Sequence, residues 1–156
     1  MVFDYRLTDS QGRPRRLSAL FGTHQTLILI HNMGSSCRYC SLWADGFNGL
    51  AKQFATLTAV VLSNHDSPAH QRAVARKRGW ILPLVSVAGT SLTKDLGFGD
   101  DAQHAQPGAS ILSKDAEGVI TRINRVRFGP GDNYCIMWDL MDLLPEAEPG
   151  RWQPLA

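Results

Sequence analysis

The stretch Thr26-Leu27-Ile28-Leu29-Ile30-His31 is apolar or β-branched up to its histidine, and such an unbroken run predicts a strand covered on both faces. After a small polar loop, Asn32 to Ser36, the period changes. Cys40, Trp43, Ala44, Phe47, Leu50, Ala51 and Phe54 recur at steps of three and four, one apolar face of a helix beginning at Cys37. Leu57 to Leu62 predicts a second buried strand. Ser67-Pro68 then supplies an N-cap and first-turn pair, and Gly79 closes a helix over 68–78 with a strongly charged outer face.

Trp80 to Val87 reads as short extended or irregular chain, Leu92 to Phe98 as a helical turn, and Gly99 to Gly108 as a polar loop. Ala109 to Leu112 and Val119 to Ile123 flank Lys114 to Gly118, the pattern of a hairpin. Asp132 is predicted to cap a last helix with Tyr134, Met137, Trp138, Met141 and Leu144 facing inward. Before the first strand lie a polar arm turning at Asp9 to Gly12 and a glycine-closed helical turn, Leu17 to Gly22. From Pro145 onward the chain reads as irregular. The order strand, helix, strand, helix, hairpin, helix predicts an α/β fold: a mixed central sheet flanked by helices, with the first two strands parallel.

At 156 residues the chain suits one domain, 1–156, with its core over about 17–144. The hydrophobic content of 44% and charged content of 19% are those of a globular protein. A net charge of +2 is too small to argue for nucleic acid or a membrane surface as partner. The clusters Arg13, Arg15, Arg16 and Arg72, Arg76, Lys77, Arg78 read as solvated faces. The opening MVFDYRLTDS lacks a basic segment followed by an apolar one, and no apolar run approaches the ~20 residues needed to cross a bilayer. With three cysteines and no secretion signal, the expected location is the reducing cytoplasm. In that setting a Cys-x-x-Cys pair serves catalysis or metal binding more than it serves structure.

That pair is Cys37 and Cys40. Cys37 falls at the first turn of a helix that follows a buried strand, where unpaired backbone N–H groups favour an anion such as a thiolate. Arg38 adds a positive charge beside it. A free thiol with a pKa near 8.5 is only a few per cent ionised at neutral pH, whereas thiols in this setting fall to roughly 3.5–7.5. Residues three apart share a helix face, so Cys40 can reach the Cys37 sulfur while lying on the apolar stripe. The expected division is an exposed nucleophile, Cys37, and a buried resolving thiol, Cys40. His31, at the end of the strand, is a candidate proton acceptor for the buried thiol, and equally a strand-end histidine held by hydrogen bonds.

A zinc reading would pair the cysteines with His65 and His70, although 24 residues separate the two halves. No cofactor is expected. Cys135 reads as a small buried hydrophobe. Ser35, Ser36 and Ser41 lack the Gly-x-Ser-x-Gly elbow of a hydrolase.

The run RLSALFGTHQTLILIH…CRYC…LTAVVLS…PGASILSKDAEGVITRI resembles the thioredoxin-like superfamily, whose members place Cys-x-x-Cys at the first helix. The resemblance implies a cis-proline loop opposite the cysteines. Pro107 in Gln106-Pro107-Gly108 matches it and, with Arg38 and Tyr39, is expected to help hold a protein or small-molecule disulfide substrate. More narrowly, the chain is similar to the bacterial predicted dithiol-disulfide isomerases grouped as domain of unknown function 899. That similarity rests on His31-x-Met33, Cys37-x-x-Cys40-Ser41 with Ala44-Asp45, Arg78-Gly79-Trp80 before Pro83, Pro107-Gly108-x-Ser110 and Asp139-Leu140.

The departures narrow the expectation. The loop from His31 to Cys37 is short for that family, and its closing segment is altered to Leu143-Leu144-Pro145-Glu146. Against thioredoxin itself, Arg38-Tyr39 replaces Gly-Pro, no tryptophan precedes Cys37, and His31 stands where a buried acid is usual. Peroxiredoxins carry threonine or serine where this chain has Gly34, which weighs against peroxidase chemistry. A binding or zinc-holding module on the same fold is the competing class.

Overall fold

In a computed structural model, residues 1–145 and 152–156 are described. Of the irregular stretch predicted from Pro145 onward, residues 146–151 lie outside the described residues. The first half of the chain forms β1 (Arg6–Asp9), β2 (Pro14–Arg16), a 3-10 turn (Leu17–Phe21), β3 (Thr26–His31), α1 (Arg38–Gly49), α2 (Ala51–Phe54) and β4 (Ala59–Asn64). The second half forms α3 (Pro68–Arg78), β5 (Leu84–Ser86), α4 (Leu92–Asp95), β6 (Gly108–Lys114), β7 (Ile120–Arg127) and α5 (Met137–Met141).

The strands make one seven-stranded sheet in the order β2-β1-β5-β4-β3-β6-β7. β3, β4 and β5 are mutually parallel because helices connect them, and every other pairing is antiparallel. Side chains alternate across a strand, so β3 divides its run between two cores. Leu27 and Leu29 join Phe21, Val61, Leu92, Phe98 and Leu112 on one face. Ile28 and Ile30 join Trp43, Ala44, Val60, Leu62 and Phe128 on the other, beneath α1. This is the mixed α/β architecture that the periodicity predicts.

Four details differ from the sequence reading. The N-terminal arm is a hairpin: the Asp9 carboxylate accepts the Gln11 and Arg13 N–H groups at 2.9 Å and the Arg13 and Arg15 guanidiniums at 3.0 and 3.1 Å, which fixes the turn. β1 then joins β5, with Thr8 opposite Ser86. The long apolar helix breaks at Leu50, which leaves the helical region and turns outward. The last helix covers only Met137–Met141, because the Asp132 carboxylate is used elsewhere, accepting from the Gly129 and Tyr134 N–H groups and from the Trp43 and Trp138 indoles.

Gly108, opposite His31 in the ladder, is fixed by space rather than by φ. A Cβ there would collide with the Phe98 ring and the Val126 carbonyl. Gly108→Ala is therefore expected to destabilise the fold by about 1–3 kcal/mol, the range for overpacking, as read from the urea unfolding midpoint.

Candidate active site

Asn32 follows the last residue of β3 and Asn64 closes β4, and the pairing of His31 with Ser63 brings these ends side by side. There the backbone leaves the sheet and its polar groups need partners. The Asn32 carboxamide accepts the Gly34 N–H at 2.7 Å, donates to the Cys40 carbonyl at 3.4 Å and receives a bond from Asn64. Asn64 in turn accepts from Gln71 of α3 at 2.8 Å and from the Asp66 N–H at 3.1 Å. All three amides are buried. This chain of carboxamides ties α3 and both strand ends to the start of α1. Gly34 sits at φ 101 under the Asp66 carboxylate, which accepts the Ser35 N–H at 3.0 Å, so the loop can turn sharply into the helix.

Cys37 is the N-cap of α1: its Sγ accepts the Cys40 N–H at 3.1 Å. This is the place of the serine or aspartate oxygen in an ordinary cap, filled by sulfur. The thiol is half-buried and its pKa is lowered to about 7, first by the hydrogen bond from the Cys40 side chain and then by the Cys40 and Tyr39 N–H groups, against the opposing effect of burial. Hydrogen bonds carry this shift, not the Arg38 charge, for the Arg38 guanidinium reaches away to Gln153 Oε1 at 3.2 Å. Cys40 is buried and its pKa is raised, because its proton is shared toward Cys37 and because burial disfavours its anion. Its Sγ also accepts the Met33 N–H at 3.5 Å. One sulfur is thus reactive and partly open, the other protonated and enclosed.

His31 is placed away from both sulfurs by the parity of β3. It shares the face of Leu27 and Leu29, whereas α1 lies over Ile28 and Ile30. Its ring stacks on Phe98 with centroids 3.9 Å apart, and its Nε2 meets Ser110 Oγ at 2.9 Å. Burial, aided by Arg122, lowers its pKa to about 3. A group so weakly basic holds no proton at neutral pH, and the ring's geometry gives it a structural part in closing the sheet. Its Nδ1 is buried with no hydrogen-bond partner among the described residues.

A cleft of about 690 Å³ opens at Cys37, lined by Met33, Ser36, Arg38 and Tyr39 on one side, Ala102, Gln103 and Ala105 on the other, and Gln153 from the C-terminal segment. Arg38 and Tyr39 therefore do flank the reactive sulfur. Gln106 and Pro107 do not line this cleft. Gln106 is exposed and donates its N–H to Phe98, while the Pro107 carbonyl accepts the Phe128 N–H at 3.0 Å. No cis peptide occurs among the described residues, so Pro107 does not present the expected cis bond. Ala102, Gln103 and Ala105 fill the place assigned to the proline loop. His70 bonds Ser35 Oγ at 2.6 Å, and among the described residues no three His, Cys, Asp or Glu side chains gather as a ligand set. Cys135 is partly buried near Trp138, and burial raises its pKa.

The family model for bacterial proteins of unknown function (DUF899) matches residues 2–153. The chain belongs to that family. No curated protein matches it. Among solved structures it is similar to the peroxidoxin BcpB of Mycobacterium tuberculosis, at 24% identity and a TM-score of 0.68, covering 81% of this chain and 82% of that one. It is also similar to peroxiredoxin Q of Xanthomonas campestris, at 20% identity and a TM-score of 0.67, with 81% of each chain covered. A putative protein disulfide isomerase of Bacteroides thetaiotaomicron aligns at 20% identity and a TM-score of 0.55, covering 81% of this chain and 76% of that one. These likenesses show a thioredoxin-like fold for this member of the family.

The residues that sequence reasoning missed are Asn64, Gln71, Gln103 and Gln153, with Asn32 noticed only as loop. One signal was available: an asparagine at the end of each of two neighbouring parallel strands, Asn32 just past β3 and Asn64 closing β4.

Proposed function

We propose that this protein is a thiol–disulfide oxidoreductase in which Cys37 attacks a substrate disulfide and Cys40 resolves the mixed disulfide. The observation that carries the reading is the Cys37 thiol in the N-cap position, half-open, with a pKa near 7 above a protonated partner. At pH 7 about half of such a thiol is thiolate, an order of magnitude more than for a free cysteine. Once Cys37 is bonded to substrate its negative charge is gone, and with it the hydrogen bond that holds the proton on Cys40. The remaining aid to the Cys40 anion is the Met33 N–H, and the departing substrate thiolate is the proton acceptor at hand. His31 takes no part in this transfer.

The test is the pH dependence of alkylation by iodoacetamide. Cys37 should titrate near pH 7 and react at neutral pH about three to five times faster than a free thiol, its larger thiolate fraction partly offset by a less basic sulfur, and the fast phase should vanish in Cys37→Ser. A titration near 9, or a Cys37–Cys40 pair that will not oxidise reversibly, overturns the reading.

A second reading, a thiol peroxidase, is favoured by the likeness to the peroxidoxin and peroxiredoxin Q structures. Against it stands Gly34, which offers no hydroxyl to a peroxide at the loop before Cys37. Rapid stoichiometric consumption of hydrogen peroxide by the reduced protein would decide for it.

A further inference from the structure

The cleft at Cys37 has a charge and a size of its own. Among the described residues its lining holds a single cationic side chain, Arg38, and no aspartate or glutamate; the other polar groups are the Cys37 thiol, the carboxamides of Gln103 and Gln153 and the hydroxyls of Ser36 and Tyr39. Among the described residues Arg38 forms no ion pair. Its guanidinium donates to Gln153 Oε1, and among the described residues its other donors have no partner. Asp101 of the facing loop is turned onto His104, whose Nδ1 lies 2.8 Å from its carboxylate. A guanidinium presents a planar fork matched to a carboxylate, and a neutral amide wall carries no charge to pair with it or to repel an anion. The volume of about 690 Å³ is that of a small-molecule site. Arg38 and Cys37 line the same cleft, so a carboxylate held by the guanidinium belongs to a molecule that also reaches the reacting sulfur.

We propose that the Cys37 cleft takes a low-molecular-weight disulfide whose thiol halves carry carboxylates, with Arg38 as the residue that selects the charge and Gln153 as the group that positions it. The inference rests on the dithiol reading above. In the reaction the Cys37 thiolate attacks one sulfur of the substrate. The substrate S–S bond breaks, and one carboxylate-bearing thiolate leaves with the electron pair. Cys40 gives its proton to that thiolate, attacks Cys37 Sγ and expels the second half as a thiolate, which takes up a proton from water. One protein dithiol is oxidised and one small disulfide is reduced to two thiols.

Three alkyl disulfides of similar size separate the charge from the chemistry: 3,3′-dithiodipropionate (dianion), bis(2-hydroxyethyl) disulfide (neutral) and cystamine (dication). Single-turnover oxidation of the reduced full chain by each at pH 7 is followed by loss of protein thiol, counted after acid quench and removal of the small molecules. The dianion should react at least ten times faster than cystamine, with the neutral disulfide between them. Arg38→Gln should reduce the dianion rate about tenfold while moving the neutral rate less than threefold; Gln153→Ala should do the same in weaker form. Rates that do not order by charge, or an Arg38→Gln effect equal for all three, overturn the charge assignment while leaving the dithiol reading intact. A protein disulfide oxidising the pair far faster than any of the three overturns the small-molecule assignment. Failure of all three, and of a protein disulfide, to oxidise the pair is the separate result that removes the dithiol reading and this inference with it.

Discussion

Cys40→Ala should be able to begin disulfide exchange and unable to complete it. The first effect is on Cys37, whose lowered pKa derives chiefly from the Cys40 side chain. Without that donor the Cys37 pKa should climb from about 7 toward 9, leaving only the Cys40 and Tyr39 N–H groups to favour the anion. Over a two-unit rise the thiolate fraction at pH 7 falls from about a half to about one per cent. The more basic thiolate is the better nucleophile, by roughly a factor of eight for a Brønsted coefficient of 0.4–0.5. The net loss in the initiating rate is therefore about five- to tenfold. The second effect is absolute. With no resolving sulfur the mixed disulfide persists, so mass spectrometry after addition of a small disulfide should find one adduct per chain, and multiple turnover should cease. Rapid loss of the adduct, as in the wild type, would show that Cys40 is not the resolving group.

The other large effect concerns acid stability. In the unfolded chain His31 titrates near 6.5, and in the fold it stays neutral down to about 3. Between those pH values the unfolded chain binds a proton that the native one does not, so stability rises with pH across the window. The contribution is complete above pH 6.5 and is lost as pH falls toward 3, with a slope approaching ~1.4 kcal/mol per pH unit. The loss amounts to a few kcal/mol, a large share of a typical 5–15 kcal/mol. Urea unfolding of the wild type and of His31→Gln at pH 7, 6, 5 and 4 isolates it, since the carboxylates titrate alike in both proteins. The stability difference should shrink steadily below pH 6.5. A difference independent of pH would mean that the ring accepts a proton in the fold.

Long periodic segments were legible in the sequence because one physical cause, burial of a face, governs many positions at once. β3, β4, the Ser67-capped α3 and the β6–β7 hairpin all follow from it. The Cys37–Cys40 asymmetry was legible for the same reason, since Cys40 begins the buried stripe. The three-residue β5 was not, because its length shows no period, nor was the β1–β2 hairpin, whose second strand is fully exposed and arginine-rich. The last helix was overextended because Asp132 resembles a cap, and only the fold brings Trp43 to compete for its oxygens. The side on which His31 faces could have been read from strand parity, yet its neutral state depends on Phe98 and Ser110, far along the chain. The amide chain Asn32–Asn64–Gln71 spans three elements and has no spacing to betray it.

The pairing of β1 with β5 also sets an order on folding. Thr8 must wait for Ser86 before its strand has a neighbour on the interior side of the sheet, a closure across most of the first half of the chain. The entropy of closing so long a loop grows only with the logarithm of its length, yet it must be met before the contact returns anything. β3 and β4, which carry the strand ends beneath Cys37, need only the intervening α1 and α2 to find each other. As the chain leaves the ribosome, the β3–β4 scaffold of the reactive sulfur can therefore begin to assemble while the N-terminal hairpin still waits for β5.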